Sequence, residues 1–195
     1  MILRLFTVAA LAAALSPMVL AIPAAPVAAQ EAAPRISGRF VLQDQDGRTV
    51  NDETYAGKIR VISFGYTFCP DVCPTTLATV AEAMDKLGDL ADQVVPIFVS
   101  VDPQRDSPAH LKEYVAAFHP RLVGLTGTPE AVASAARNFR VRYQINPAPD
   151  HNPDTYTVDH SAGIYIMGRD GRFAAKLGYL ENADTLAGRI RQVAQ

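Results

Sequence analysis

The sequence predicts an α/β domain, a central mixed sheet flanked by helices, with an N-terminal β-hairpin extension. Three observations carry this. Apolar runs rich in β-branched residues alternate with stretches whose apolar residues recur at helical spacing, the pattern of βαβ units. Asp46-Gly47 and Asp170-Gly171 each stand between short strand-like segments and mark hairpin turns. Ser107-Pro108 and Thr128-Pro129 supply a capping hydroxyl followed by a proline at the first helical position, so helices are expected to begin there.

In chain order, residues 1–29 carry one charge, Arg4, and an Ala/Leu-rich run from Leu5 to Ile22. With Val27-Ala28-Ala29 as a small-residue cleavage site they read as a signal peptide or as an N-terminal anchor. Either reading places the rest of the chain outside the cytoplasm, in the periplasm, with a membrane engaged only through that segment. Residues 30–38 read as a linker and 39–195 as the folded domain. Of the 18 Lys+Arg in the chain, loss of residues 1–29 removes only Arg4, leaving 17 against 20 Asp+Glu and a formal charge of −3. A near-neutral surface of mixed sign gives no electrostatic case for nucleic acid.

Arg39–Gln43 and Arg48–Val50 are the expected strands of the first hairpin, and Ile59–Tyr66 the first long core strand. Thr75–Leu87 has Leu77, Val80, Met84 and Leu87 on one helical face, which assigns Met84 to the core, and Gly88 ends the helix. Val94–Val101 reads as a central strand. A helix bearing Leu111, Tyr114, Val115 and Phe118 follows, then a short strand over Leu122–Leu125 and a helix bearing Val132, Ala135, Ala136 and Phe139. The parallel character of the βαβ part should dominate the sheet. Gln144–Thr157, with Pro147, Pro149 and Pro153, has no period and is expected to be a loop and the moving part of the molecule. Gly163–Met167 and Arg172–Leu177 form the second hairpin, and Asn182–Val193 the last helix.

The two cysteines lie in Tyr66-Thr67-Phe68-Cys69-Pro70-Asp71-Val72-Cys73-Pro74, where a strand passes to a helix. Since proline disfavours helical dihedrals in the residue before it, both are expected outside the helix, with Cys73 as N-cap and Pro74 at the first position. There the helix dipole favours a thiolate. A domain of this size needs no cross-link between residues four apart, so the pair is read as chemical rather than structural.

This element order is similar to that of the thioredoxin-like fold, with two differences. Three residues instead of two separate the cysteines, and His160-Ser161 stands near the place of the proline that faces the sulfurs in redox thioredoxins. Two thiolates and one imidazole form a soft site suited to Cu(I) and able to hold Cu(II). The cysteine segment, Asp102-Pro103-Gln104-Arg105-Asp106-Ser107-Pro108 and Asp159-His160-Ser161 together resemble the Sco/SenC family of copper-binding assembly factors of cytochrome c oxidase. The resemblance implies copper held by Cys69, Cys73 and His160. It also implies a metallochaperone rather than an enzyme, with the copper-bearing oxidase subunit as partner and other periplasmic copper carriers or thioredoxin-like reductants as further partners. Phe68 stands where some members have histidine, which excludes a nitrogen ligand from that position.

The alternative is a thiol–disulfide reductase that uses Cys69 and Cys73 as a redox pair on the cysteines of the oxidase copper site or of another periplasmic partner. Asp71 and Asp159 are candidates for tuning the site, Asp159 by orienting the imidazole. Arg105 and Asp106 are candidates for a partner-recognition surface. His110 and His119 read as surface residues, and His151 as the substitute ligand should His160 not serve.

Overall fold

The structure, a computed structural model, describes residues 35–149 and 155–195. The leader and linker up to residue 34, and His151, therefore lie outside the described residues. None of the described helices is long and apolar enough to cross a membrane.

Among the described residues, nine strands and four α-helices order the domain. They are β1 (Val41–Asp44), β2 (Thr49–Asn51), β3 (Ile59–Gly65), α1 (Val72–Lys86), β4 (Val94–Ser100), α2 (Pro108–Ala116), β5 (Val123–Thr126), α3 (Pro129–Phe139), β6 (Tyr143–Asn146), β7 (Thr157–His160), β8 (Ile164–Met167), β9 (Phe173–Leu177) and α4 (Ala183–Val193). Seven strands make one sheet in the order β2-β1-β5-β4-β3-β8-β9. The long apolar strands β3 and β4 lie inside it, parallel and in register from Ile59 opposite Val94 to Gly65 opposite Ser100. Parallel strands covered on both faces have no solvent side, which is why both runs are apolar almost without alternation.

Parallel pairing is confined to β3–β4 and β4–β5. The hairpin β1–β2 joins β5 antiparallel and the hairpin β8–β9 joins β3 antiparallel, so antiparallel pairs outnumber parallel ones and the sheet is mixed. The expected predominance of parallel pairing fails because only the two helical crossovers between β3, β4 and β5 can generate it.

Side chains alternate between two cores. Ile62 and Phe64 face α3, where Phe64, Phe139 and Tyr165 meet with ring centroids 5.2–6.0 Å apart. Ile59 and Val61 face the opposite way, against Val80, Ala83 and Met84 of α1 and Leu186, Ala187 and Ile190 of α4. Met84 is a core residue, as its helical stripe predicts. Helices α2 and α3 start where expected: Ser107 Oγ accepts from His110 N and Thr128 Oγ1 from Ala131 N, each with proline in the first turn.

The expected loop over 144–157 is strand at its two ends, Gln144–Asn146 lying in β6 and Thr157 in β7, while the described residues between them, 147–149 and 155–156, lie outside regular structure. β6 and β7 pair antiparallel from Tyr143 opposite His160 to Asn146 opposite Thr157. Pro147 and Pro149 fall beyond the paired residues, where a missing N–H costs nothing, so proline content and strand pairing do not conflict. Tyr156 and Val158 are buried and seat the hairpin on the main core.

Candidate metal centre

The site is built where β3 stops and α1 begins. After Gly65 the chain turns, with Cys69 N–H donating to the Tyr66 carbonyl at 3.2 Å. The helix then starts earlier than predicted. Asp71 is the N-cap and Cys73 the second helical residue, with the Asp71 carbonyl accepting from Thr75 N at 3.3 Å and from Thr75 Oγ1 at 2.9 Å. N–H groups of a first turn have no helical acceptor, so Pro74 is accommodated inside that turn and does not force Cys73 out of the helix.

The helical position turns the Cys73 sulfur inward, 4 % exposed, while Cys69 stays half-buried on the loop. Burial pushes the Cys73 thiol well above its ordinary range, outweighing a hydrogen bond from the Tyr66 backbone, and the neighbouring Cys69 side chain adds to the rise. The expected preference for thiolate at the helix start is thus reversed for Cys73. Desolvation of a whole sulfur outweighs a partial dipole charge, and a cation bound to the sulfur is what would draw the proton off.

Gly65 makes this burial possible. A Cβ there would lie 2.6 Å from Cys73 Sγ and 2.9 Å from the Phe98 ring. The sulfur occupies space that any other residue would fill.

His160 closes the site from the hairpin. It ends β7, and its Nε2 lies 3.5 Å from Cys73 Sγ, 87 residues away in sequence. Its Nδ1 faces the Ser161 carbonyl at 3.4 Å, an arrangement that suits an Nδ1–H tautomer with the Nε2 lone pair turned to the sulfur. The Tyr66 ring stands edge-on to it, 6.2 Å between centroids. Burial lowers the imidazole pKa, opposed by the Ser161 carbonyl and by Asp159, so the ring is held neutral, the form that ligates.

A metal with bonds of about 2.3 Å to sulfur and about 2.0 Å to nitrogen holds those two atoms roughly 3.5–3.8 Å apart. The Cys73–His160 pair already has that span. Cys69 is within hydrogen-bonding reach of Cys73, and both thiols are free. Among the described residues no three His, Cys, Asp or Glu side chains stand closed around one point. Cys73 and His160 stand at a ligating span, and Cys69 lies beside them on the loop.

The remaining sequence candidates fare differently. Asp71 serves through its carbonyl as cap, and its side chain is exposed and makes no cap bond. Asp159 is exposed on the opposite side of β7 from His160, so it acts on the imidazole only through its charge, and the orienting contact comes from Ser161. Arg105 and Asp106 are not a surface. Asp106 is fully buried, and its carboxylate accepts from Thr67 N (3.1 Å), Thr67 Oγ1 (2.6 Å) and Ser100 Oγ (2.6 Å). The Arg105 side chain is 11 % exposed and bonds to Asp102. Such charges are buried because the turn packs beneath the cysteine loop, where paired donors satisfy them.

His110 is exposed as expected, yet its Nε2 is 2.9 Å from Thr67 Oγ1 and its ring lies against Phe68, tying α2 to the cysteine loop. The His119 side chain, expected at the surface, is 12 % exposed, with Nδ1 accepting from Arg121 N. Sequence reasoning missed Gly65, Tyr66, Thr67 and Tyr156. A glycine ending a core strand just before two cysteines was the one local signal.

Comparison with known proteins agrees with this geometry. The SCO1/SenC family model matches residues 28–195. The chain is 40 % identical over 162 residues to Protein SCO1 homolog 1, mitochondrial, of Arabidopsis thaliana, covering 82 % of this chain and 48 % of that protein, so it spans about half the relative's length. The structure of Bradyrhizobium japonicum ScoI with copper bound superposes with a TM-score of 0.74 at 42 % identity, over 81 % of this chain and 99 % of that one. BsSco, described as a member of the Sco family of cytochrome c oxidase assembly proteins and as containing a disulfide switch, superposes with a TM-score of 0.64 at 25 % identity, over 83 % and 94 %. With a family match across nearly the whole folded domain and the two cysteines and His160 converging at one end of the sheet, the chain belongs to the SCO1/SenC family.

Proposed function

We propose that this chain is an extracytoplasmic copper carrier that binds copper through Cys69, Cys73 and His160 and delivers it during assembly of the dinuclear copper centre of cytochrome c oxidase. The observation that carries this reading is the 3.5 Å approach of His160 Nε2 to Cys73 Sγ, with Cys69 beside it on the loop before α1. A soft trio of this kind suits Cu(I), and loading exchanges the thiol protons for the metal. Copper is cargo here: an exposed edge at Cys69 lets an incoming thiolate or imidazole from the recipient replace one ligand at a time. The copper-bound state of the Bradyrhizobium protein supports the same assignment.

The test is an anaerobic Cu(I) titration of the reduced protein against a chromogenic competitor, wild type beside His160→Ala. One tightly bound copper, weakened at least about tenfold in the variant, or roughly 1.4 kcal/mol, is the expected result. Equal binding by both proteins removes His160 from the site. A second reading, thiol–disulfide exchange on partner cysteines, draws on the free, adjacent thiols. It requires turnover without metal that depends on Cys69 and Cys73 and is indifferent to His160.

A further inference from the structure

The two segments that carry the ligands do not touch through their ligands alone. Residues 102–106, the turn after β4, reach both. On one side Asp106 grips Thr67, two residues before Cys69, by its main chain and its hydroxyl. On the other side the same turn holds Tyr156, the residue before β7. Arg105 donates from Nε to Asp102 Oδ2 at 2.5 Å and from a terminal nitrogen to the Tyr156 carbonyl at 2.9 Å, and the Tyr156 hydroxyl donates to Asp102 Oδ1 at 2.5 Å.

The guanidinium is also a spacer between the two segments. Its carbon lies 3.6 Å from the centroid of the Tyr156 ring and 4.7 Å from that of Phe68, which neighbours Cys69. A planar cation between two aromatic faces, with a fully buried carboxylate as partner, holds both in one geometry at a desolvated site. Strand β7 is only four residues long and, among the described residues, pairs with β6 alone in a two-stranded sheet, which by itself is marginal in water. Something other than strand pairing must therefore fix where His160 stands.

We propose that Asp102, Arg105 and Tyr156 form a latch that sets the strand bearing His160 over the cysteine loop, with Arg105 as the positioning residue. The inference rests on the reading of His160 as a copper ligand. It requires that Arg105 act on copper through His160 and not through the fold at large.

A double-mutant cycle tests this, with anaerobic Cu(I) affinity of the full chain measured for wild type, Arg105→Met, His160→Ala and the double variant. Methionine keeps the apolar stem and removes the charge and its bonds. The expected result is a loss of about tenfold for Arg105→Met in the wild-type background and less than about twofold in the His160→Ala background. Hydrogen exchange supplies a second readout: the amides of residues 157–161 should exchange faster in Arg105→Met while those of β3 and β4 are unchanged. Arg105→Lys, which cannot reproduce the fork or the stacking, should rescue only in part. Tyr156→Phe, which deletes a single hydroxyl, carries the same cycle if Arg105→Met does not fold. Equal losses in both backgrounds, or no loss in the wild-type background, overturn the latch. No effect of His160→Ala on its own overturns the ligand reading instead.

Discussion

Replacing Gly65 by alanine is the most direct test of how the site is packed. The added Cβ would stand 2.6 Å from Cys73 Sγ and 2.9 Å from Phe98 Cε2, whereas non-bonded carbon-sized atoms rest at about 3.5–4.0 Å. Roughly 1 Å must be found, and little can give. Gly65 is the last paired residue of β3, opposite Ser100 on the central strand, and Phe98 is 1 % exposed within the α1–α2 core. Cys73 is the mobile party, and its sulfur would be displaced from its seat beside His160.

Overpacking of this kind costs about 1–3 kcal/mol. For a domain of this length that corresponds to a fall in Tm of roughly 2–12 °C. Urea unfolding followed by circular dichroism measures the stability. Thiol titration with a disulfide reagent measures the sulfur, because a buried Cys73 reacts slowly and a displaced one faster. Wild-type stability together with wild-type reactivity in Gly65→Ala would refute the claim that Cys73 occupies the space beside the glycine.

Two further outcomes follow from the same structure. Burial raises the Asp106 carboxyl above its ordinary 3.8, against the pull of its Ser100 and Thr67 donors. The native state therefore keeps a proton that the unfolded chain has already lost, and between 3.8 and the folded value this contribution to stability falls as pH rises. The unfolding free energy of wild type minus that of Asp106→Asn should decline across that acid window, and a flat difference would remove Asp106 from the titration. Thr128→Ala deletes the cap on α3 and should cost about 1 kcal/mol in urea unfolding while leaving Cu(I) affinity unchanged, since the Thr128 hydroxyl accepts from Ala131 N within the first turn of α3 and does not bond to the cysteine loop or to His160. A change in affinity would show that the α3 cap is coupled to the site through the core that α3 shares with Cys73.

Local chemistry made most of the fold legible from sequence. The strands β3 and β4 are apolar because both faces are covered, the Ser107-Pro108 and Thr128-Pro129 pairs carry their caps in their side chains, and the Asp-Gly turns bring their own backbone preference. Each of these signals lies within a few residues of the structure it specifies. Cys69, Cys73 and His160 stood out as candidate ligands for a different reason: cysteine and histidine are the side chains that bind soft cations, whatever surrounds them.

What the sequence could not determine depends on atoms brought together from afar. The roles of Arg105 and Asp106 were misread because Asp-Pro and Ser-Pro look like surface turn chemistry. Only the packing of 102–106 beneath the cysteine loop, 39 residues away at Thr67 and 51 at Tyr156, makes the two charges buried ties. The strand pairing of β6 with β7 was hidden by prolines that lie just outside the paired residues. Desolvation, a property of the assembled core, raises the Cys73 thiol against a dipole that the local sequence correctly indicated. The sequence by itself determined which groups are chemically able to hold copper. The tertiary structure decided which of them meet, how deeply each is buried and which charges hold them there, because distance, dielectric and packing exist only once the chain has closed on itself.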